Sequence, residues 1–310
     1  MTDLRVAVLG VGLIGGSIGL AARRRLGARV LGYDPDAAAL SRAVELGAID
    51  EPCDQIVAAV RGADYVFVAA PVGATVAATR AALSACGPDC VVSDVGSTKR
   101  HVMREVVDAR FVGGHPLAGA ETAGVQSARE DLFDDAVWYL TPVSADAAPA
   151  LSRLDALVEQ LGATPVVLDA DAHDRLMASV SHLPHVLANV LVAQALRAES
   201  PPEGDPRAAA AVGTNPSFRD ATRVAGANTA IWKDIYMSNS DLLAEAIDEA
   251  IRELSGVRDA LDAEDGDALV AWNESAREGR ERLTGGGGEP TGDQPAERGP
   301  AAPAAPSKDS

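Results

Sequence analysis

The chain turns from an apolar run, Val6-Ala7-Val8-Leu9, directly into Gly10-Val11-Gly12-Leu13-Ile14-Gly15, and alanine-rich helical sequence follows. Three glycines at this spacing between a strand and a helix leave few options for what is built. Gly10 permits the tight turn out of the strand, Gly12 lets the backbone approach a pyrophosphate, and Gly15 lets the helix pack closely on the strand. The helix start adds oriented N–H groups and the positive end of its dipole. The expected dinucleotide site therefore comprises Gly10, Gly12, Leu13, Ile14 and Gly15.

A glycine-rich turn alone is a weak signal, so the next strand has to supply an acid for the ribose. Ala28-Arg29-Val30-Leu31-Gly32-Tyr33 reads as that strand and Asp34 follows it. A carboxylate there accepts hydrogen bonds from ribose hydroxyls and repels a 2′-phosphate, and no arginine stands close behind it. NAD is expected rather than NADP. Asp36 is assigned instead to the N-cap of a helix starting near Ala37.

Further apolar runs occur at 64–70, closed by Pro71, and at 90–94, 111–114, 137–140 and 164–168, with helical stretches such as Ala37 to Gly47 and Thr98 to Ala109 between most of them. This alternation predicts an α/β fold: an N-terminal Rossmann-type, doubly wound, mainly parallel sheet whose ligands bind beyond the strands' C-terminal ends. Pro71, at one such end, joins the cofactor-binding set. From Asp171 onward helical periodicity takes over. Leu243, Ile247, Ala250, Ile251, Leu254, Val257 and Leu261 form an i, i+3/i+4 stripe that packs on its own domain or also meets a second subunit. The expected organisation is a dinucleotide-binding domain over 1–170, an all-helical substrate and dimerisation domain over 171–284, and a disordered Gly/Pro/Ala tail over 285–310.

The 310 residues carry a formal net charge of -18, which argues against nucleic acid or an anionic membrane as partner. An anionic substrate then has to be held by a few local cations. Cys53, Cys86 and Cys90 lack metal-ligand spacing and read as packing residues of a reducing, cytoplasmic protein. The N-terminus lacks a leader pattern, and no segment is read as a membrane span.

Two strand-end segments stand out: Ser93-Asp94-Val95-Gly96-Ser97-Thr98-Lys99, and Phe111-Val112-Gly113-Gly114-His115-Pro116-Leu117-Ala118-Gly119. With Ser181-His182-Leu183-Pro184-His185 and Ser217-Phe218-Arg219-Asp220-Ala221-Thr222-Arg223 after them, the order from Val6 to about Leu283 closely resembles the prephenate dehydrogenase family of tyrosine biosynthesis. The resemblance implies that a cyclohexadienol loses hydride from its carbinol carbon to NAD while its ring carboxylate leaves as carbon dioxide. It also implies that His115 is the catalytic histidine, accepting the ring hydroxyl proton as a neutral imidazole suits. Ser97 matches the serine that orients this histidine, although as a bare residue it could simply N-cap a helix starting at Thr98.

By the same resemblance Arg223 binds the substrate carboxylate as a planar two-pronged donor. Arg219 and Asp220 share a helical face with it, where the bland alternative is a surface ion pair. Asp220 is a candidate sensor of an ammonium group that would separate arogenate from prephenate, and it becomes purely structural if an arginine engages it. His185 lines the substrate pocket by resemblance, and Glu121 matches an acid near its entrance. Pro184 should kink the helix from Ala172 to Ala198. His182 reads as a packed helix residue, Trp232 as core, and His101 and His173 as solvated; no metal site is expected.

No fused mutase or folded regulatory domain is expected at either end, and a homodimer is the expected quaternary form. Arogenate or dual-specificity enzymes are the nearest rivals. β-Hydroxyacid dehydrogenases need a helix-borne lysine that 172–198 lacks, and a non-catalytic NAD sensor has no reason to combine His115, Ser97 and Arg223.

Overall fold

The computed structural model describes residues 4–119, 124–198 and 215–284. Its centre is an eight-stranded sheet: β1 (Arg5–Leu9), β2 (Arg29–Tyr33), β3 (Glu51–Cys53), β4 (Tyr65–Val68), β5 (Val91–Asp94), β6 (Phe111–Pro116), β7 (Val137–Pro142) and β8 (Thr164–Val167). The order is β3-β2-β1-β4-β5-β6-β7-β8. All neighbours are parallel except β6 and β7, which run antiparallel in a register that sets His115 opposite Tyr139. Because β1 continues outward to β2 on one side and borders β4 on the other, the connections diverge there and leave a crevice at the strands' C-terminal ends.

Alternation along each strand feeds two cores. Val6 and Val8 face one side, with Ile18 and Leu154, while Ala7 and Leu9 face the other, with Val66, Leu83 and Phe111. Cys53 and Cys90 are buried in the second core and Cys86 packs against it; all three are free thiols. The helices on the two faces are α1 (Leu13–Leu26), α2 (Ala37–Glu45), α3 (Ile56–Val60), α4 (Val72–Ala85), α5 (Arg100–Glu105) and α6 (Ala148–Gln160). Asp36 caps α2 as expected, its carboxylate accepting from Ala38 N at 2.9 Å.

Three local expectations are corrected. The short edge strand β3 was not anticipated; Glu51-Pro52-Cys53 is too brief to show periodicity, and its proline is tolerated because it lies at an edge. His115 lies within β6 rather than in a loop after it, because pairing with β7 carries the strand through Pro116. Helix α5 starts at Arg100, not Thr98, and its N-cap Lys99 makes no side-chain cap, so Ser97 does not cap it.

Beyond the sheet come α7 (Ala170–Met177), a π-helical turn at Ala178–His182, and α8 (Leu183–Ala198). The expected kink at Pro184 takes this form: proline lacks the N–H that would continue the α register, and the ladder locally shifts by one residue. Contrary to expectation, Ala170–Arg197 is a 28-residue helical run long and apolar enough by composition to cross a membrane. Its polar side chains argue for a domain helix instead, since His173, Asp174, His182 and His185 are buried and bonded to groups on other elements.

Then follow α9 (Pro216–Thr222), a 3₁₀ turn at Arg223–Gly226, α10 (Thr229–Ser238), α11 (Ser240–Asp262) and α12 (Gly266–Leu283). The chain divides into two compact units, Met1–Glu249 and Ala250–Ser310. The expected tail at 285–310 lies outside the described residues.

Candidate active site

A cleft of about 940 Å³ opens at the C-terminal ends of β1, β4, β5 and β6. Gly12, Pro71, Ser97, His115, Arg223 and Trp232 are among the residues around it.

One wall is backbone. Gly10 has φ of +99°, and a side chain there would place Cβ 2.4 Å from Ala69 O. At Gly15 a Cβ would sit 1.9 Å from Gly10 O and 2.8 Å from Val8 Cγ1, so close helix packing requires glycine. Gly12 differs, since a Cβ there meets nothing within 4 Å. The protein's own packing does not explain that glycine; a ligand approaching the open face does. The start of α1 supports this, having neither a side-chain cap nor an acid in its first turn. By contrast, α2, α7, α9, α10 and α12 are capped by Asp36, Asp169, Asn215, Asn228 and Asp265. Uncapped N–H groups suit a pyrophosphate. Asp34 accepts from Val11 N and Asp36 N, both at 2.9 Å, which locks the carboxylate against the glycine loop at the end of β2. Leu13 and Ile14 open α1, and Pro71 is the N-cap of α4.

The other wall is made of side chains. His115 Nδ1 lies 2.9 Å from His173 Nε2, and His173 Nδ1 lies 2.7 Å from Asp174 Oδ1. Asp174 also accepts from the main-chain N–H groups of Lys99 at 2.7 Å and Arg100 at 2.9 Å, so it caps α5 from a different helix. Lys99, fully buried, pairs with the buried Asp94, which also accepts from Gly96 N and Gly114 N and ties the β5–α5 turn to β6. Burial first, then the nearby His173, Lys99 and His182, push the His115 imidazole well below its usual range. Burial also lowers His182 to about 4. Both are neutral near pH 7, the state a proton acceptor needs.

His173 was expected to be solvated, yet it is fully buried at the centre of this network. It shares the inner face of α7 with Met177, an i, i+4 pair that is its only sequence signal. Trp232 is half-buried in the cleft lining rather than core, and its ring stacks on His185 at 3.6 Å and 6°. His185 therefore stands behind Trp232, also bonded to Tyr236 Oη, and is not among the cleft-lining residues. His182 is packed and His101 exposed, as expected.

Arg223 reaches the cleft from the 3₁₀ turn, not from the helix carrying Arg219 and Asp220. The α-helix closes at Thr222, whose Oγ1 also donates to Phe218 O at 2.6 Å. Arg219 and Asp220 are exposed on α9 and do not line the cleft. Glu121 lies outside the described residues. Among the described residues no cluster of three or more His, Cys, Asp or Glu is arranged to hold a metal.

Comparison with known proteins adds the decisive observation. Residues 18–167 match the family description "Prephenate dehydrogenase, nucleotide-binding domain", and residues 169–274 match "Prephenate dehydrogenase, dimerization domain". Prephenate dehydrogenase of Bacillus subtilis is 35% identical over 285 residues, spanning 90% of this chain and 76% of the relative. The chain belongs to the prephenate dehydrogenase family. A cyclohexadienyl dehydrogenase of Zymomonas mobilis is 33% identical over 89% of this chain and 94% of its own. Among solved structures, prephenate dehydrogenase of A. aeolicus in complex with hydroxyphenyl propionate and NAD+ is similar with a TM-score of 0.82 and 28% identity, covering 91% of this chain and 99% of that one. Family membership makes the sheet region, matched from residue 18 onward, a nucleotide-binding domain and the chain an oxidoreductase.

Proposed function

We propose that this chain catalyses the NAD-dependent oxidative decarboxylation of prephenate to 4-hydroxyphenylpyruvate. The observation that carries the reading is the convergence, in one cleft, of an unfilled glycine cradle at Gly12, a neutral His115 and the cation Arg223. NAD, when bound along Gly10–Gly15 with its ribose at Asp34, supplies the hydride acceptor. His115 Nε2 takes the proton of the ring hydroxyl as the carbinol C–H bond gives up its electron pair with the hydrogen. The ring carboxylate then departs as carbon dioxide, its bonding pair completes the aromatic ring, and His115 returns the proton to the phenolic oxygen. Arg223 holds a substrate carboxylate with a planar donor set, and Ser97, on the same cleft, orients the hydroxyl.

In this reading His185 supports the pocket through Trp232, Glu121 keeps the role that the family resemblance implies for it, and Arg219 and Asp220 act at the cleft's approach. The domain boundary falls near 170, with the helical part reaching 284. Exposed apolar side chains on α11 (Ile251, Leu254, Leu261) and on α12 (Val270, Trp272) support a homodimer built through the helical domain. The location is cytoplasmic. The cyclohexadienyl dehydrogenase relative favours a second reading, in which arogenate is also accepted. Steady-state NADH production with prephenate and arogenate, each against NAD and NADP, tests both readings. Prephenate with NAD should give the highest kcat/KM, with measurable arogenate turnover; a chain inert toward prephenate and active on arogenate would reverse the assignment.

A further inference from the structure

We propose that His173, held by Asp174, is a positioning residue that fixes His115 as its Nδ1–H tautomer and so presents Nε2 as the acceptor for the substrate hydroxyl. This rests on the reading of His115 as the proton acceptor. A carboxylate only accepts hydrogen bonds, so the 2.7 Å contact from Asp174 Oδ1 places a proton on His173 Nδ1. In a neutral His173 the other nitrogen, Nε2, then has a lone pair, and the 2.9 Å contact can be closed only by a proton on His115 Nδ1. His115 Nε2 is left as the acceptor.

Two observations describe the charges already present around the His173 ring. The Asp174 charge is already offset by the N–H groups of Lys99 and Arg100, and the Arg100 Nε lies 3.7 Å from Asp174 Oδ2. The Lys99 ammonium also lies close enough to lower the His115 affinity for protons, so a second cation on His173 would add repulsion inside a buried cluster.

The His173 ring is held in orientation as well as in charge. Tyr139 meets it edge-on with ring centres 5.6 Å apart and an interplanar angle of 83°. The antiparallel β6–β7 register that pairs Tyr139 with His115 brings both residues to His173. Packing alone gives no reason for an imidazole here, because an apolar side chain would fill the inner face of α7 without needing two polar partners. The groups around His115 are Asp94 from β5, Lys99 from the turn after it, Tyr139 from β7, His173 and Asp174 from α7, His182 from the π turn and Arg223 from the 3₁₀ turn. When His115 takes the hydroxyl proton, its Nδ1–H bond to His173 persists and the Asp174 charge behind that ring stabilises the imidazolium.

The test uses the full chain with ¹⁵N-labelled histidine. Imidazole two-bond ¹H–¹⁵N spectra report each tautomer, and His115→Asn identifies the His115 signals. The wild type should show His115 as Nδ1–H. In His173→Leu, His115 should move to the Nε2–H form, and kcat with prephenate and NAD should fall about 10- to 10³-fold while the KM for NAD changes little. His173→Gln should recover much of kcat, because its amide can accept from His115 and donate to Asp174. A wild-type His115 found as Nε2–H, or unchanged kcat in His173→Leu, would overturn the proposal. Because the tautomer is read without turnover, a chain inactive on both prephenate and arogenate would overturn the functional reading alone.

Discussion

The two walls of the cleft are built from different parts of the polypeptide. The glycine wall is six consecutive residues, and what it offers a ligand is main chain: N–H groups at the start of α1 and space at Gly12. The histidine wall gathers single side chains from β6, α7 and the 3₁₀ turn, spread between His115 and Arg223 in sequence, with His115, His173 and Asp174 joined by hydrogen bonds. A backbone wall tolerates substitution wherever the side chain points into the ligand's space, at the ligand's expense. A side-chain wall fails at any link, because a buried polar group left without its partner costs about 1–3 kcal/mol. Changes in the first wall should therefore appear in cofactor affinity, and changes in the second in kcat and stability.

The sharpest break between the walls is His115→Asn. Asparagine cannot take a proton, so kcat should fall roughly 10²- to 10⁴-fold with the KM for NAD nearly unchanged. Steady-state kinetics on the folded variant checks this, and a matching rise in the KM for NAD would mean that the walls are not separable.

Acid should unfold the histidine wall first. His182 drops from the usual 6.5 to about 4 and His115 also lies well below its usual range, so between these values the unfolded chain binds more protons than the native one. Stability from these groups is complete above 6.5 and is lost as pH falls toward the folded values, by roughly 3 kcal/mol for His182 alone. Urea unfolding from pH 7.5 to 4.5 should show this slope, and His182→Asn should flatten it; equal slopes in the two proteins would remove His182 as a source.

Within the glycine wall Gly15 and Gly12 should separate. Gly15→Ala forces a Cβ to 1.9 Å from backbone oxygen, and should destabilise the fold by about 1–3 kcal/mol or more. Gly12→Ala meets no protein atom, so thermal unfolding should barely shift while the KM for NAD rises about tenfold or more. Comparable melting shifts in both variants would show that Gly12 serves packing. The smallest effect belongs to Asp34→Ser, which should narrow the preference for NAD over NADP by removing repulsion of a 2′-phosphate; an unchanged ratio of kcat/KM would place discrimination elsewhere.

The same contrast explains what the sequence made legible. The glycine loop, Asp34 and the strand alternation are local patterns, and the sheet they imply is present with its antiparallel β6–β7 pair added. Strand ends drew attention to the segments that carry Ser97 and His115, the family resemblance singled out these residues together with Arg223, and all three line one cleft. His173 was misread because its neighbours, Asp171, Asp174 and Arg175, make α7 look like a solvated face; only the fold shows Asp174 turned inward to cap α5. Trp232 was assigned to a core because apolar rings usually are, whereas here the ring separates His185 from the cleft. The helical continuation through Arg223 was overestimated: the α-helix ends at Thr222 and Arg223 opens a 3₁₀ turn, a change that charge spacing does not reveal.

In the proposed reaction, oxidation and decarboxylation are coupled on one ring through one proton acceptor, His115. The direct measurement is the stoichiometry of NADH and carbon dioxide formed from prephenate by the full chain. Equal amounts of the two, suppressed in parallel by His115→Asn, are expected; NADH without carbon dioxide, or carbon dioxide release that survives His115→Asn, would contradict it.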